Sequence, residues 1–513
     1  MLKKTLLSAA FFAAMSAYAA DIRIAYDADP ESMDPQEQLS GGTLQMSHLL
    51  FDPLVRHNSK LEIEPRLAEK WEQIDDKTLR FHLRKGVKFH SGREMNVDDV
   101  LFTWNRMLTS QDFKGLFTQY EGIKKVDDYT FDVVTKEPYP LVLPNMTYFF
   151  VMDKDFYSGT DDKGNDRGKI EKATGTFASH NVSGTGPFKL ESRQQGVKSV
   201  YVKNPDYWGE RGNVDKIELV TIKENATRVS ALLAGDVDWI YPVPPTDLER
   251  VKGNDKLDLH SLASDRIIFI EMNQNVVEPF KDKRVRQAVV HAVNNPGIVE
   301  KIMRGFATPA AQFSPDGYSG YNADLKPRFD LKKAQELMKE AGHEKGFSIT
   351  MISPNDRYVN DEKIAQSVAA MLAKINIKVE LTTMPKAQYW TEFDKCAAGL
   401  QLIGWSSDTG DSANYSEFLT MTRNTDTGEG QYNCNGNSHA ELDALVKEAN
   451  ATVDEAKRNE LLRKVSQIEF DEAFVIPLHW QNQDWGYSKK FENFPDIVNM
   501  KNFPLFGDLK VKE

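Results

Sequence analysis

The sequence predicts a mixed α/β or α+β protein of about three domains, and three observations carry that reading. The chain has 513 residues, about three times a usual domain length of ~150. Hydrophobic residues make up 40% and charged residues 27%, a globular balance with enough apolar surface for sizeable cores. β-prone runs and capped helical runs alternate along the chain. They do so most regularly over 273–484, which predicts one α/β lobe with a mostly parallel sheet.

At the N-terminus, Lys3 and Lys4 precede an apolar run from Leu6 to Met15, too short to span a bilayer. Ala17-Tyr18-Ala19 then puts small residues at both cleavage positions. The pattern predicts a secretory signal peptide over 1–19, cut after Ala19, and export to a bacterial periplasm. A buried N-terminal helix is the alternative. No Cys lies beside the cut, so lipid attachment there is not expected.

A strand follows at 22–25, and Asp34-Pro35 breaks it. Residues 79–83 alternate as a strand into the Lys85-Gly86 turn. Val97–Met107 reads as a helix with Asn96 as N-cap. Residues 161–172 are polar and charged, an exposed loop. Gly184-Thr185-Gly186-Pro187 is a turn ahead of strands at 188–191, 199–203 and 217–222. A helix over 226–233 stops at Gly235, and Pro242-Val243-Pro244-Pro245 interrupts regular structure.

From the β-prone run 267–272 onward the helices lengthen. Asp282 caps 283–293, Pro296 opens a helix ended by Gly305, and Asp330 caps 331–341. Ser438 and Glu441 form an expected capping box for a helix to about Ala449, and Asp454 opens another to about Phe470. Strands are expected between them at 347–352, 378–382, 400–405 and 474–478.

Acids outnumber bases 76 to 64, for a formal net charge of -12. That weighs against nucleic acid or an anionic membrane as the main partner. Catalytic motifs are missing. There is no phosphate loop and no His-Glu-x-x-His, and Gly436-Asn437-Ser438-His439-Ala440 lacks the last Gly of a nucleophile elbow. His82 and His90 do not form a ligand spacing, so neither a metal nor another cofactor is expected. Cys396 and Cys434 are the two cysteines. They form either one disulfide, stabilising by roughly 3–4 kcal/mol, or two free buried thiols.

Several segments carry a resemblance. They are Pro65-Arg66-Leu67-Ala68-Glu69-Lys70-Trp71, Phe81 through Gly92, and Asp98-Asp99-Val100. Next come Gly184 through Phe188 with Asn204-Pro205-Asp206-Tyr207-Trp208, then Leu233 through Asp238. Asn273 with Phe280 through Ala288, Gly404-Trp405-Ser406-Ser407-Asp408, and Ile476-Pro477-Leu478-His479 complete the set. In this order they resemble the peptide/nickel class of bacterial extracellular solute-binding proteins, the periplasmic components of ABC importers. The resemblance implies a two-lobed periplasmic-binding-protein fold with hinge strands and an extra third domain. Domain I would comprise 20–53, 183–271 and 485–513; domain II, the extra one, 54–182; and domain III 272–484. The hinge would pass through 269–273 and 482–487. Hinge closure on a ligand is the expected motion.

The same resemblance implies that Asp408 pairs with a ligand's α-ammonium and that Arg357 clamps its carboxylate. Both fit chemically, since a carboxylate offsets a buried ammonium and a guanidinium fork matches a carboxylate. The rival readings are a turn Asp in a Ser/Asp/Gly-rich loop and a surface Arg. Trp405 is either an apolar wall of the pocket or core packing. Ser407, Tyr358 and Gly42 are further ligand-binding candidates, placed near the cleft by the family layout. The implied function is capture of short, dipeptide-like peptides by a monomer that delivers them to the membrane permease. The alternatives are a nickel chelate, an opine, glutathione or an oligosaccharide. A secreted hydrolase or a sensory or chaperone-like receptor are the readings from other classes.

Overall fold

The computed structural model describes residues 20–30, 32–39, 41–171, 175–407 and 409–512. The expected signal peptide and Asp408 lie outside the described residues.

One eleven-stranded sheet runs through the molecule. Its spine is two long antiparallel strands, Leu257–Met272 and Val475–Ser488. Sixteen residues of strand span about 50 Å, enough to cross from one lobe to the other. The first half of the outgoing strand, Leu257 to Ala263, pairs with Asn482 to Ser488. The return strand there also pairs with Trp239–Tyr241, which leads through Ala20–Tyr26 to Val214–Thr221, Lys198–Lys203 and Phe188–Gln194. The second half, Ile267 to Met272, stays paired with the return strand over Val475 to Trp480 and gains Leu400–Trp405 on its other side. Beyond that lie Ser348–Pro354 and Lys378–Met384.

The change of partner falls in a bulge. Ala263 faces Asn482 and Ile267 faces Trp480, so residues 264–266 oppose Gln481 alone. The Ser264 hydroxyl holds the bulge by donating to the Gln481 carbonyl and accepting from the Arg266 amide. On the outgoing strand this point lies ahead of the expected 269–273, and on the return strand it adjoins 482–487. The β-prone run at 267–272 marked only the buried half of this strand. The other half, with alternating exposed residues, carries no continuous apolar signal.

The sheet of the 273–484 lobe is mixed rather than mostly parallel. Ser348–Pro354 runs parallel to both neighbours, but Leu400–Trp405 is antiparallel to the outgoing strand. The two spine strands must leave and re-enter the other lobe, which fixes their opposed directions. The helix expected from Ser438 is capped instead by His439, whose ring Nδ1 accepts from the Leu442 amide. The Ser438 hydroxyl accepts from Thr422. The Asn96 capping box is present, with Asn96 Oδ1 accepting from Asp98 and Asp99 Oδ2 accepting from the Asn96 amide.

A separate four-stranded antiparallel sheet lies within 54–182. Its strands in order are Ala68–Asp75, Thr78–Leu83, Thr130–Thr135 and Tyr120–Lys125. Phe81 and Phe131 stack across it at 5.4 Å. Three of the quoted motifs meet at buried Asp52, which accepts from Arg66 (2.9 Å), Thr185 Oγ1 (3.0 Å) and Trp208 Nε1 (2.9 Å). Gly186 is required by close approach, since a Cβ there would lie 2.4 Å from the Leu50 carbonyl carbon. The His90 amide donates to the Gly184 carbonyl beside it. These motifs therefore fasten the small sheet's unit to the first lobe.

Glu271, on the outgoing strand, is 1% exposed and hydrogen-bonded only weakly, by Gln401 at 3.4 Å. Burial pushes its carboxyl up to about 8. The folded state thus holds a proton that the unfolded state releases near pH 4.5. The stability linked to it is complete below that pH and is lost as pH rises toward 8. Glu271→Gln is expected to change little at pH 4.5 and to stabilise by about 1–3 kcal/mol at pH 8.5. Urea unfolding at both pH values checks this, and equal effects at the two would refute it.

Candidate functional site

The carboxyl ends of parallel strands are where open α/β sheets bind ligands. In one lobe, Tyr26, Thr221 and Tyr241 end three parallel strands at a common edge. In the other, Pro354 pairs with Met384, and Leu400–Trp405 ends alongside them. The two edges lie on either side of the bulge at 264–266. Asp27, just past Tyr26, interacts electrostatically with Lys386, just past Met384. Arg357, just past Pro354, interacts with Tyr241 and Asp27.

Arg357 is exposed, yet desolvation foremost, and then Arg266, lowers its pKa. Asp27 is likewise exposed, and desolvation raises it, offset first by Arg228. Both groups are thus reached by solvent while protein on several sides removes part of their water. The Arg357 backbone amide donates to Asp361 Oδ2 (2.9 Å), and its guanidinium lies over the Tyr358 ring at 5.0 Å. Among the described residues, no hydrogen bond or ion pair engages that guanidinium.

Tyr358 is buried, and its hydroxyl donates to the Gly404 carbonyl at 3.3 Å. A Cβ at Gly404 would meet Ile268 at 2.6 Å and the Tyr358 ring at 2.8 Å. The Gly of Gly404-Trp405 is thus the space into which Tyr358 packs. The half-buried Trp405 rests against Phe418 (5.4 Å) and Tyr432 (5.1 Å) and donates through Nε1 to Asn414 Oδ1 (3.1 Å).

The Ser407 hydroxyl belongs to its own turn. It accepts from the Gly410 and Asp411 amides and donates to the Asp411 carbonyl. Its backbone carbonyl accepts from Lys501 Nζ at 2.9 Å, a bond between the lobes. Asp411 behind the turn is held by buried Arg458 at 2.5 Å. Gly42 lies in the first turn of Gly41–Leu50. Gln45 of that helix accepts from Asn502, next to Lys501. Cys396 and Cys434 are bonded, with Cα atoms 5.1 Å apart, closing a 38-residue separation around the Trp405 loop.

Sequence motifs did not mark Asp265, Arg266, Asp27, Tyr241 or Lys501. Asp265 is 2% exposed and accepts from the Tyr318 hydroxyl at 3.0 Å. Desolvation raises its pKa, and Lys501 is the first group to offset it. The one usable signal was position, since Asp27 and Tyr241 end strands. Asp265 and Arg266 lie in a bulge that alternation does not reveal. The cleft thus has one end built on Asp265, Ser407 and Lys501, and another lined by Arg266 and Arg357. Among the described residues, no group of three or more His, Cys, Asp or Glu could hold a metal ion, and no helix is long and apolar enough to cross a membrane.

Residues 62–427 match the model of the bacterial extracellular solute-binding proteins, family 5 middle region. A dipeptide-binding protein of Escherichia coli (strain K12) is 30% identical over 503 residues, covering 92% of this chain and 91% of that protein. A di/tripeptide-binding protein of Pseudomonas aeruginosa (strain UCBPP-PA14) is 30% identical over 511 residues, covering 92% and 91%. The Helicobacter pylori periplasmic binding protein DppA, solved with the peptide STSA, superposes with a TM-score of 0.81 at 26% identity, covering 96% of this chain and 98% of that one. The match spans most of the chain, and the lobes, hinge strands and extra sheet accord with it: this chain belongs to the family 5 bacterial extracellular solute-binding proteins.

Proposed function

We propose that the protein captures short, dipeptide-like peptides in the periplasm, closes its lobes on them and delivers them to the permease of an ABC importer. The observation that carries this reading is Arg357, whose guanidinium has no hydrogen bond or ion pair among the described residues and lies over Tyr358 where the two lobes meet, so that a ligand carboxylate completes its hydrogen bonding. Asp408 is assigned to the α-ammonium. The peptide-binding relatives support the ligand class. Trp405 and Tyr358 shape the wall behind the ligand, and the hinge bulge at 264–266 is the closing point. The Lys501 contact to Ser407 is one bond that closure forms.

The test is a thermal-melt panel on ligand-stripped protein, using free dipeptides, the same dipeptides N-acetylated or C-amidated, longer peptides, nickel–histidine and oligosaccharides. At 100 times Kd a ligand adds about 2.7 kcal/mol. Free dipeptides are expected to raise Tm, and blocking either end is expected to cancel the rise. A rise with sugars or nickel complexes alone would overturn the peptide assignment and leave solute binding standing.

A further inference from the structure

Arg266 stands in the hinge bulge, between Asp265 and Ile267. Ile267 pairs with Trp405, so Arg266 is carried to the same edge of the sheet as Arg357. It interacts electrostatically with Arg357 and with Tyr241 of the opposite lobe. Its backbone amide is bonded to Ser264. Its guanidinium, like that of Arg357, has no hydrogen bond or ion pair among the described residues.

Arg357 is exposed and Arg266 half-buried, whereas fully buried arginines elsewhere in the chain are hydrogen-bonded. Arg228 donates to the carbonyls of Ile222 and Pro242 and to Asn225. Arg286 reaches Glu472 and the Phe280 carbonyl, and Arg458 reaches Asp411. Nearby carboxylates reach the pair only at a distance. Asp27 acts electrostatically on Arg357 but is set first against Arg228, and Asp265 acts on Arg266 but is set first against Lys501 and accepts from Tyr318. Asp361 accepts the amides of Arg357, Tyr358 and Glu362, while Asp356 accepts the Lys386 amide. Burial raises the pKa of Asp484 to about 6, and its carboxyl is bonded to Ser261.

We infer that Arg266 and Arg357 form a two-anion subsite, which selects peptides carrying a second carboxylate at the last position, an Asp or Glu side chain. The inference rests on the peptide reading above and narrows it. One terminal carboxylate neutralises one guanidinium. Closure would then leave the other desolvated beside a like charge, a costly state that a second carboxylate relieves. Two planar forks also offer more N–H donors than one carboxylate can accept.

The experiment is calorimetric titration of Ala-Glu, Ala-Gln, Ala-Asp and Ala-Asn into the full mature chain and into Arg266→Gln and Arg266→Lys. The native protein is expected to bind Ala-Glu at least tenfold tighter than Ala-Gln, and Ala-Asp tighter than Ala-Asn. That ratio is expected to fall below threefold in Arg266→Gln and to be partly kept in Arg266→Lys. Rising salt is expected to shrink it in the native protein. Equal binding of acid and amide by the native protein would overturn the subsite and leave peptide binding intact. So would a preference that survives Arg266→Gln. Failure of all four peptides to bind would overturn both readings. Urea unfolding of each variant separates loss of fold from loss of preference.

Discussion

Arg357→Gln is expected to weaken dipeptide binding about 100-fold or more, on the order of 3 kcal/mol. The magnitude follows from the environment. A guanidinium whose pKa is lowered by desolvation and by Arg266 rests on the Tyr358 ring but has no hydrogen bond or ion pair among the described residues. A ligand carboxylate supplies the missing acceptor. Its removal leaves that carboxylate closed into the cleft with one fork fewer, and the cost falls mainly on the dissociation rate. The Gln side chain keeps much of the stem, so packing on Tyr358 changes little. Calorimetric titration with a free dipeptide and its C-amide is the measurement. The amide is expected to lose affinity for the native protein, and the variant to bind both alike. Undiminished binding of the free dipeptide by Arg357→Gln would remove Arg357 from the site.

Arg106→Met is expected to destabilise the fold by about 3–5 kcal/mol. Arg106 is 3% exposed at the side chain, and Asp34, its partner at 2.5 Å, is 0% exposed. The guanidinium also donates to Gln36 Oε1 and the Gly168 carbonyl. The substitution strands a buried carboxylate, and that loss exceeds the net value of the pair itself. Adding Asp34→Asn to Arg106→Met is expected to restore part of the stability, because the stranded charge goes with it. Urea unfolding of the two single variants and the double variant measures the coupling. A loss under 1 kcal/mol in Arg106→Met would show that the site relaxes around Asp34. The pair joins the N-terminal segment to the helix Val97–Met107, so it ties the small sheet's unit to the first lobe.

Local chemistry was legible wherever a residue acts on its immediate neighbours. Asn96, Asp282, Asp330 and Asp454 each cap the helix that follows them. Gly235 ends its helix at φ 81°, a conformation that suits glycine. Ser438 failed because His439, one residue on, competes for the same amides and reaches Leu442. The small sheet was largely missed beyond one strand. Ala68–Asp75 is mostly exposed, so its apolar alternation is weak, and its pairing rather than its composition makes it a strand.

Of the cleft, the motif loop at Gly404-Trp405 and Arg357 were legible, and their surroundings were not. Trp405 was open between wall and core, and a half-buried ring on Phe418 and Tyr432 is partly each. Ser407 looked like a ligand hydroxyl, but its own turn engages it. The sequence by itself determined the family, the mixed α/β class and most of the helix caps, because these depend on motif chemistry and on hydrogen bonds reaching a few residues. Only the tertiary structure decided the bulge at 264–266, the mixed sheet and the company kept by Arg357. Those depend on strands hundreds of residues apart becoming neighbours. Asp27, Arg266 and Arg357 come within electrostatic reach of one another because sheet register sets their strand ends at neighbouring edges, and no local pattern encodes that register.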